Sequence, residues 1–196
     1  IVFCASDDYL TNDTISNRVS ILEKNPEKMV LIADTSVVDA NSKTIHKSSI
    51  GEWLKYSNRE NYFSDNGLKY EIINRWSLTG PCSMMNKKLF IEFDGYDESL
   101  FLEDWDFYLR AAANNTILYC DQQVAAYRLH GNNFTSSSNK NFKLLQSLYL
   151  TAKKNYKLFN KPYKKYLLRK KVSYQIQMIL FPLKYLSRMI RGKLSK

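Results

Sequence analysis

Leu102-Glu103-Asp104-Trp105-Asp106-Phe107-Tyr108-Leu109-Arg110 is the stretch whose reading decides the fold. Trp105, Tyr108, Leu109 and Ala112 recur at helical spacing, which predicts a helix over 103–113. Two carboxylates, Glu103 and Asp104, open its first turn, where acidic groups complement the positive end of the helix dipole. Capping alone would account for such a pair, but the flanking segments ask for more. Upstream lies Phe93-Asp94-Gly95-Tyr96-Asp97-Glu98, a turn built on Asp-Gly. Downstream, past a short strand, lies Tyr127-Arg128-Leu129-His130. The chain opens on Ile1-Val2-Phe3-Cys4-Ala5, an apolar run of the kind that forms a buried parallel strand, and Ser6-Asp7-Asp8 follows it directly.

Between these landmarks strand and helix patterns alternate. Thr11 or Asn12 can cap a helix running to about residue 24, with Ile15, Val19 and Leu22 on one face, and Asn25-Pro26 stops it. Residues 29–38 are rich in β-formers and close on the turn Asp39-Ala40-Asn41-Ser42. Residues 50–56 and 68–76 read as short helices around a polar loop. Gly80-Pro81 leads into a strand at 82–85 and a helix at 86–93. Strands at 116–120 and 123–129 follow the helix at 103–113. Residues 132–141 form a polar linker, and 142–156 and 163–194 read as helices. Pro162 stands at the start of the last one, and a kink is expected near Pro182.

A chain of 196 residues with 44% hydrophobic and 14% aromatic content can bury a core, so one folded domain with an appendage is expected. Cys4, Cys82 and Cys120 lack metal-type spacing and lie in apolar segments, so they read as reduced core thiols of a cytosolic protein. The net charge of +10 hides a split. Residues 1–121 hold 12 basic and all 19 acidic residues, a net of −7, whereas 122–196 hold 17 basic and no acidic residues. Two parts with different partners are expected: a catalytic domain over 1–135 and a basic amphipathic helical extension over 136–196. Lysines and arginines interleaved with Ile176, Ile179, Leu180, Leu183, Leu186 and Ile190 suit an anionic membrane surface, with packing against protein as the alternative. Nucleic acid is not expected as a partner, because no glycine-rich or aromatic recognition motif is present and the first part is acidic.

Taken in order, Ser6-Asp7-Asp8, Gly80-Pro81, Phe93-Asp94-Gly95-Tyr96-Asp97-Glu98, Leu102-Glu103-Asp104-Trp105-Asp106 and Tyr127-Arg128-Leu129-His130 resemble the family 2 glycosyltransferases. The resemblance covers residues 1 to about 135. It implies an α/β architecture of the A-type nucleotide-sugar fold, a Rossmann-like mixed sheet flanked by helices. In that family the strand matching Ile1–Ala5 follows a βαβ half that holds the nucleotide base, so the chain is expected to be N-terminally incomplete.

The resemblance also implies roles. Asp7 and Asp8 would bind the nucleotide sugar and, with His130, hold Mn²⁺ or Mg²⁺. Relatives often carry a further Asp where Ala5 stands here. Asp104 would be the general base, with its pKa held down by the helix N-terminus, and Glu103 would orient the acceptor. Trp105 and Gly80 would line the acceptor site. Asp106 reads as a capping or surface carboxylate, and His46 as inert.

A divalent metal neutralises a leaving diphosphate, and one carboxylate opposite it deprotonates the acceptor hydroxyl, which inverts the anomeric centre. The function expected is therefore a metal-dependent, inverting glycosyltransferase. It would move a sugar from a nucleotide-sugar donor to a lipid-linked or surface-polysaccharide acceptor at the cytoplasmic face of the membrane. A non-catalytic module that binds membrane and a second chain is the other class, and homo-oligomerisation stays open.

Overall fold

A computed structural model describes residues 1–55, 57–130 and 142–194, with side chains up to 182. The linker expected at 132–141 lies outside the described residues, as do the side chains of Leu183, Leu186 and Ile190. Among the described residues five strands form one mixed sheet: β1 (Tyr9–Leu10), β2 (Val30–Val38), β3 (Thr44–His46), β4 (Ser83–Met85) and β5 (Ile117–Arg128). β2 is central. It pairs parallel with β5 and antiparallel with β3 and β4, and β1 lies antiparallel along the far side of β5.

The two strands expected at 116–120 and 123–129 are one strand. Ala33 pairs with Cys120 and the next residue, Asp34, with Gln123, so Asp121 and Gln122 bulge from the ladder where the sequence suggested a break. Asp34 is buried, and its Oδ1 accepts from the backbone N–H of Thr35, Ser49 and Ile50. Three N–H donors make the carboxylate an anchor for the loop after β3.

Alternation along β2 divides the core in two. Val30 and Ile32 face the main cluster, covered by α2 (Asp65–Asn74), the short α3 (Lys87–Glu92) and α4 (Glu103–Ala113) through Ile72, Ile73, Leu89, Phe107 and Leu109. Leu31 and Ala33 face the opposite side, beneath Ile21 and Leu22 of α1 (Thr14–Lys24). Helices on both faces of a mixed sheet are the expected α/β architecture. At the start of α2 the backbone passes so close to Asn61 that a Cβ on Gly67 would stand 2.2 Å from the Asn61 carbonyl oxygen, which excludes any larger residue.

Three further sequence expectations change. The opening apolar run is not a regular strand; Ile1 exchanges backbone bonds with Met85, and Ile1, Phe3 and Cys4 are exposed. The helix expected at 50–56 is not seen in its described part, 50–55; a short 3₁₀ turn, Arg59–Phe63, precedes α2 instead. The face of α1 is met only in part: Leu22 packs under the sheet, but Ile15 and Val19 are exposed and Thr14 and Arg18 are buried. Arg18 is 0% exposed, its Nε donates to the Thr14 carbonyl, and Nη1 and Nη2 meet no hydrogen-bond partner among the described residues. Desolvation lowers its pKa. A buried cation with two unmet Nη groups destabilises, so Arg18→Met is expected to raise the unfolding free energy by about 1–3 kcal/mol in urea titrations; a loss of stability would show that the guanidinium is satisfied.

The basic segment begins with α5 (Phe142–Asn155), and α6 (Tyr163–Leu194) follows, with Pro182 inside it. Ala152, Phe159 and Leu167 are buried in the same main cluster as the sheet residues. The charge boundary near residue 121 is therefore not a packing boundary.

Candidate active site

The site is assembled from two clusters. The first follows from the register of β1 on β5. Tyr9 pairs with Ala126, so Asp7, two residues before Tyr9, falls opposite Arg128, two residues after Ala126. The Arg128 backbone N–H donates to Asp8 Oδ1 at 2.8 Å, and its Nε donates to the Asp7 carbonyl at 2.7 Å. His130 Nε2 and Asp7 Oδ2 are 2.8 Å apart. The adjacent carboxylates are driven in opposite directions. The bond to His130 holds Asp7 below its usual value, whereas burial and then the Asp7 charge raise Asp8 against the opposing Arg128 N–H. Arg128 clasps the Asp7-Asp8 turn and also the carbonyls of Asp39 and Ala40.

The donor types fit a hard divalent cation, which takes carboxylate oxygens and tolerates an imidazole. Among the described residues, however, no three His, Cys, Asp or Glu side chains converge as preformed ligands. Asp7 and His130 engage each other, and Asp8 faces the Arg128 amide.

The second cluster surrounds the start of α4. Leu102 stands at the N-cap without a side-chain cap, Glu103 and Asp104 follow, and the Trp105 N–H donates to Asp104 Oδ1 at 2.7 Å. Asp104 keeps partial solvent access, but the protein crowded around its carboxyl, and then the charge of Glu103, push its pKa up to about 6. The depression expected from the helix N-terminus is overturned, because desolvation and a like charge outweigh the dipole. Trp105 is core rather than an acceptor platform: it is 2% exposed, and its indole N–H donates to the Ile72 carbonyl at 2.9 Å. Gly80 is exposed, and a Cβ there would meet nothing within 4 Å. It begins the 3₁₀ turn Gly80–Cys82, which carries Cys82 into the core beside Asp104. Of the cysteines only Cys82 is buried; Cys120 is half-buried, and all three are free.

Asp106 is buried at 0% exposure, not at the surface. Its Oδ2 accepts from Arg110 Nε at 2.9 Å and Lys154 Nζ at 3.2 Å, and its Oδ1 from Asn155 Nδ2 at 2.7 Å. Arg110 continues to the carbonyls of Phe93 and Gly95, fixing the turn that bears Tyr96. That turn demands its glycine, since Gly95 has φ 64° and a Cβ there would stand 3.2 Å from the Phe90 ring. Tyr96 lies close enough to Asp104 for burial and that charge to raise its phenol. Phe3 stacks on Tyr96 with ring centroids 5.2 Å apart, so the opening segment runs from one cluster to the other. Ser147 Oγ accepts from the N–H groups of Phe101 and Leu102, bracing the start of α4 from α5. Nothing in the sequence pointed to Ser147, Lys154 or Asn155, each more than 40 positions away from its partner.

The opening segment links the two acidic clusters, and one of them carries a carboxylate of raised pKa at a partly exposed helix start. A model of the family described as "Glycosyltransferase like family 2" matches residues 1–177 of the 196. The chain belongs to that family. The match reaches past the motifs into α6, so the basic helices up to residue 177 are part of the family's pattern. This glycosyltransferase-family chain has no match among curated protein sequences.

Proposed function

We propose that this chain carries the metal and acceptor part of a metal-dependent, inverting glycosyltransferase. The single observation behind the assignment of the base is Asp104, a partly accessible carboxylate raised to about 6 at the start of α4. A base of that strength is mostly ionised at neutral pH yet takes a proton better than an ordinary carboxylate. Asp104 accepts the proton of the acceptor hydroxyl as that oxygen bonds to the anomeric carbon. The bond to the nucleoside diphosphate breaks on the opposite face, which inverts the centre. Glu103 orients the acceptor, Gly80 leaves room for it, and Tyr96 walls the base. Asp7 and Asp8 meet the donor. Asp8, with Asp7 and His130, would hold Mn²⁺ or Mg²⁺, which when bound supplies positive charge to the leaving diphosphate. The donor is a nucleotide sugar. The net charge of +17 over residues 122–196 supports a lipid-linked or surface-polysaccharide acceptor and a peripheral position on the cytoplasmic face of the membrane.

Calorimetric titration of the full-length protein with UDP and Mn²⁺ tests the site. Asp8→Ala is expected to weaken metal-dependent UDP binding by at least about tenfold, and His130→Ala by less. An unchanged Mn²⁺ requirement in both variants would remove the metal from these positions. Absence of nucleotide-diphosphate binding altogether would favour the non-catalytic module.

A further inference from the structure

α6 presents two faces. Toward the protein, Leu167 is buried, and Tyr163, Tyr166 and Tyr174 pack partly buried against the main core. On the other face Leu168, Val172, Ile176, Ile179 and Leu180 are 40–68% exposed and follow one another by helical turns. Exposed Lys164, Lys165 and Arg169 stand at the N-terminal end of this stripe. Single exposed apolar residues are ordinary, but a continuous stripe on one rigid helix marks a contact surface. Among the described residues no helix is long and apolar enough to cross a membrane, so the stripe belongs to a surface and not to a span.

We propose that this face of α6 docks on an anionic lipid bilayer, with Leu168, Val172, Ile176, Ile179 and Leu180 entering the headgroup–acyl boundary and Lys164, Lys165 and Arg169 meeting lipid phosphates. Charge complementarity selects the occupant. No acidic residue follows Asp121, and 16 of the 17 later basic residues lie at or after Lys140, so α6 itself carries lysines and arginines and no carboxylate. An apolar stripe with a basic border and no carboxylate matches an anionic leaflet, which offers negative headgroups above an apolar interior. The inference gives a surface to the peripheral location proposed above. Because α6 is seated in the same core as α4, docking would fix the orientation of the candidate base relative to the membrane.

The test is co-sedimentation of the full-length protein with vesicles of phosphatidylcholine alone or mixed with phosphatidylglycerol in equal parts. Binding is expected to the mixed vesicles and not to the neutral ones. Lys164→Gln/Lys165→Gln/Arg169→Gln should weaken it by about a hundredfold at low salt, since each basic residue near the surface contributes about 1 kcal/mol. Val172→Glu/Ile176→Glu should remove the salt-resistant remainder. Both variants alter exposed positions, and circular dichroism together with UDP–Mn²⁺ titration checks that fold and donor site are intact. Wild-type protein that ignores anionic vesicles while binding UDP would overturn the docking face and leave the enzyme reading standing. So would Val172→Glu/Ile176→Glu that sediments like wild type, or a concentration-dependent dimer that this variant alone disrupts.

Discussion

Asp104→Asn is expected to lose transfer activity by about 10²–10⁴-fold while making the protein more stable at neutral pH. The two effects have one cause. Burial and the neighbouring Glu103 raise Asp104 to about 6, against about 3.9 in an unfolded chain. A group raised on folding contributes stability that is fully present below about pH 4 and is lost as the pH rises through 6. At pH 7 the ionised carboxylate therefore destabilises the native state, by about 1–2 kcal/mol once its partial solvent access is allowed for. Asn keeps an oxygen for the Trp105 N–H, so the local hydrogen bond survives. Thermal denaturation across pH 4–8 should show wild type losing stability relative to the variant through pH 4–6. Wild-type kcat/KM should rise with pH through about 6 and then level. A variant that keeps wild-type turnover would make Asp104 structural. One that loses turnover without the stability gain would show that the carboxylate is already compensated in the folded state.

Asp106→Ala is expected to cost about 3–5 kcal/mol in chemical denaturation, the largest stability loss of any single change considered. Asp106 is fully buried, and Arg110, Lys154 and Asn155 all converge on it. Truncation takes the carboxylate from Arg110 and Asn155, leaves Lys154 only Asp97, and removes the side-chain link between α4 and α5. Arg110 would keep its bonds to the Phe93 and Gly95 carbonyls, so the turn bearing Tyr96 should persist while α5 loosens. Limited proteolysis should then cut first in the basic segment. A loss below about 1 kcal/mol would place the network among surface ion pairs of little consequence.

The same network shows what charge composition misjudged. Seventeen basic residues and no acidic one after residue 121 suggested an appendage. Yet Lys154 is neutralised by Asp97 and Asp106 from the first part, and Ala152, Phe159 and Leu167 complete its core. Composition records net charge, whereas packing depends on where individual side chains land. The helix face of α1 was met only in part for a related reason. Ile15, Val19 and Leu22 set the expected apolar face, but Leu22 alone of them packs under the sheet, and Thr14 and Arg18 are buried in place of the other two. Helical spacing identifies a helix; it does not decide which stripe the sheet will cover.

What the sequence determined by itself was local and ordered: α4 with the bounds 103–113, the central strand over 29–38 within one residue, and the motif series that marks the family. Periodicity and turn chemistry act over a few residues, so they can be read from the string. The tertiary structure alone decided that Asp7 meets His130, since this rests on the register of two strands more than 100 residues apart. It also decided that Trp105 is core, and that Asp104 is raised and not lowered. A pKa answers to every dipole, charge and excluded water within several ångströms, and most of those come from distant parts of the chain.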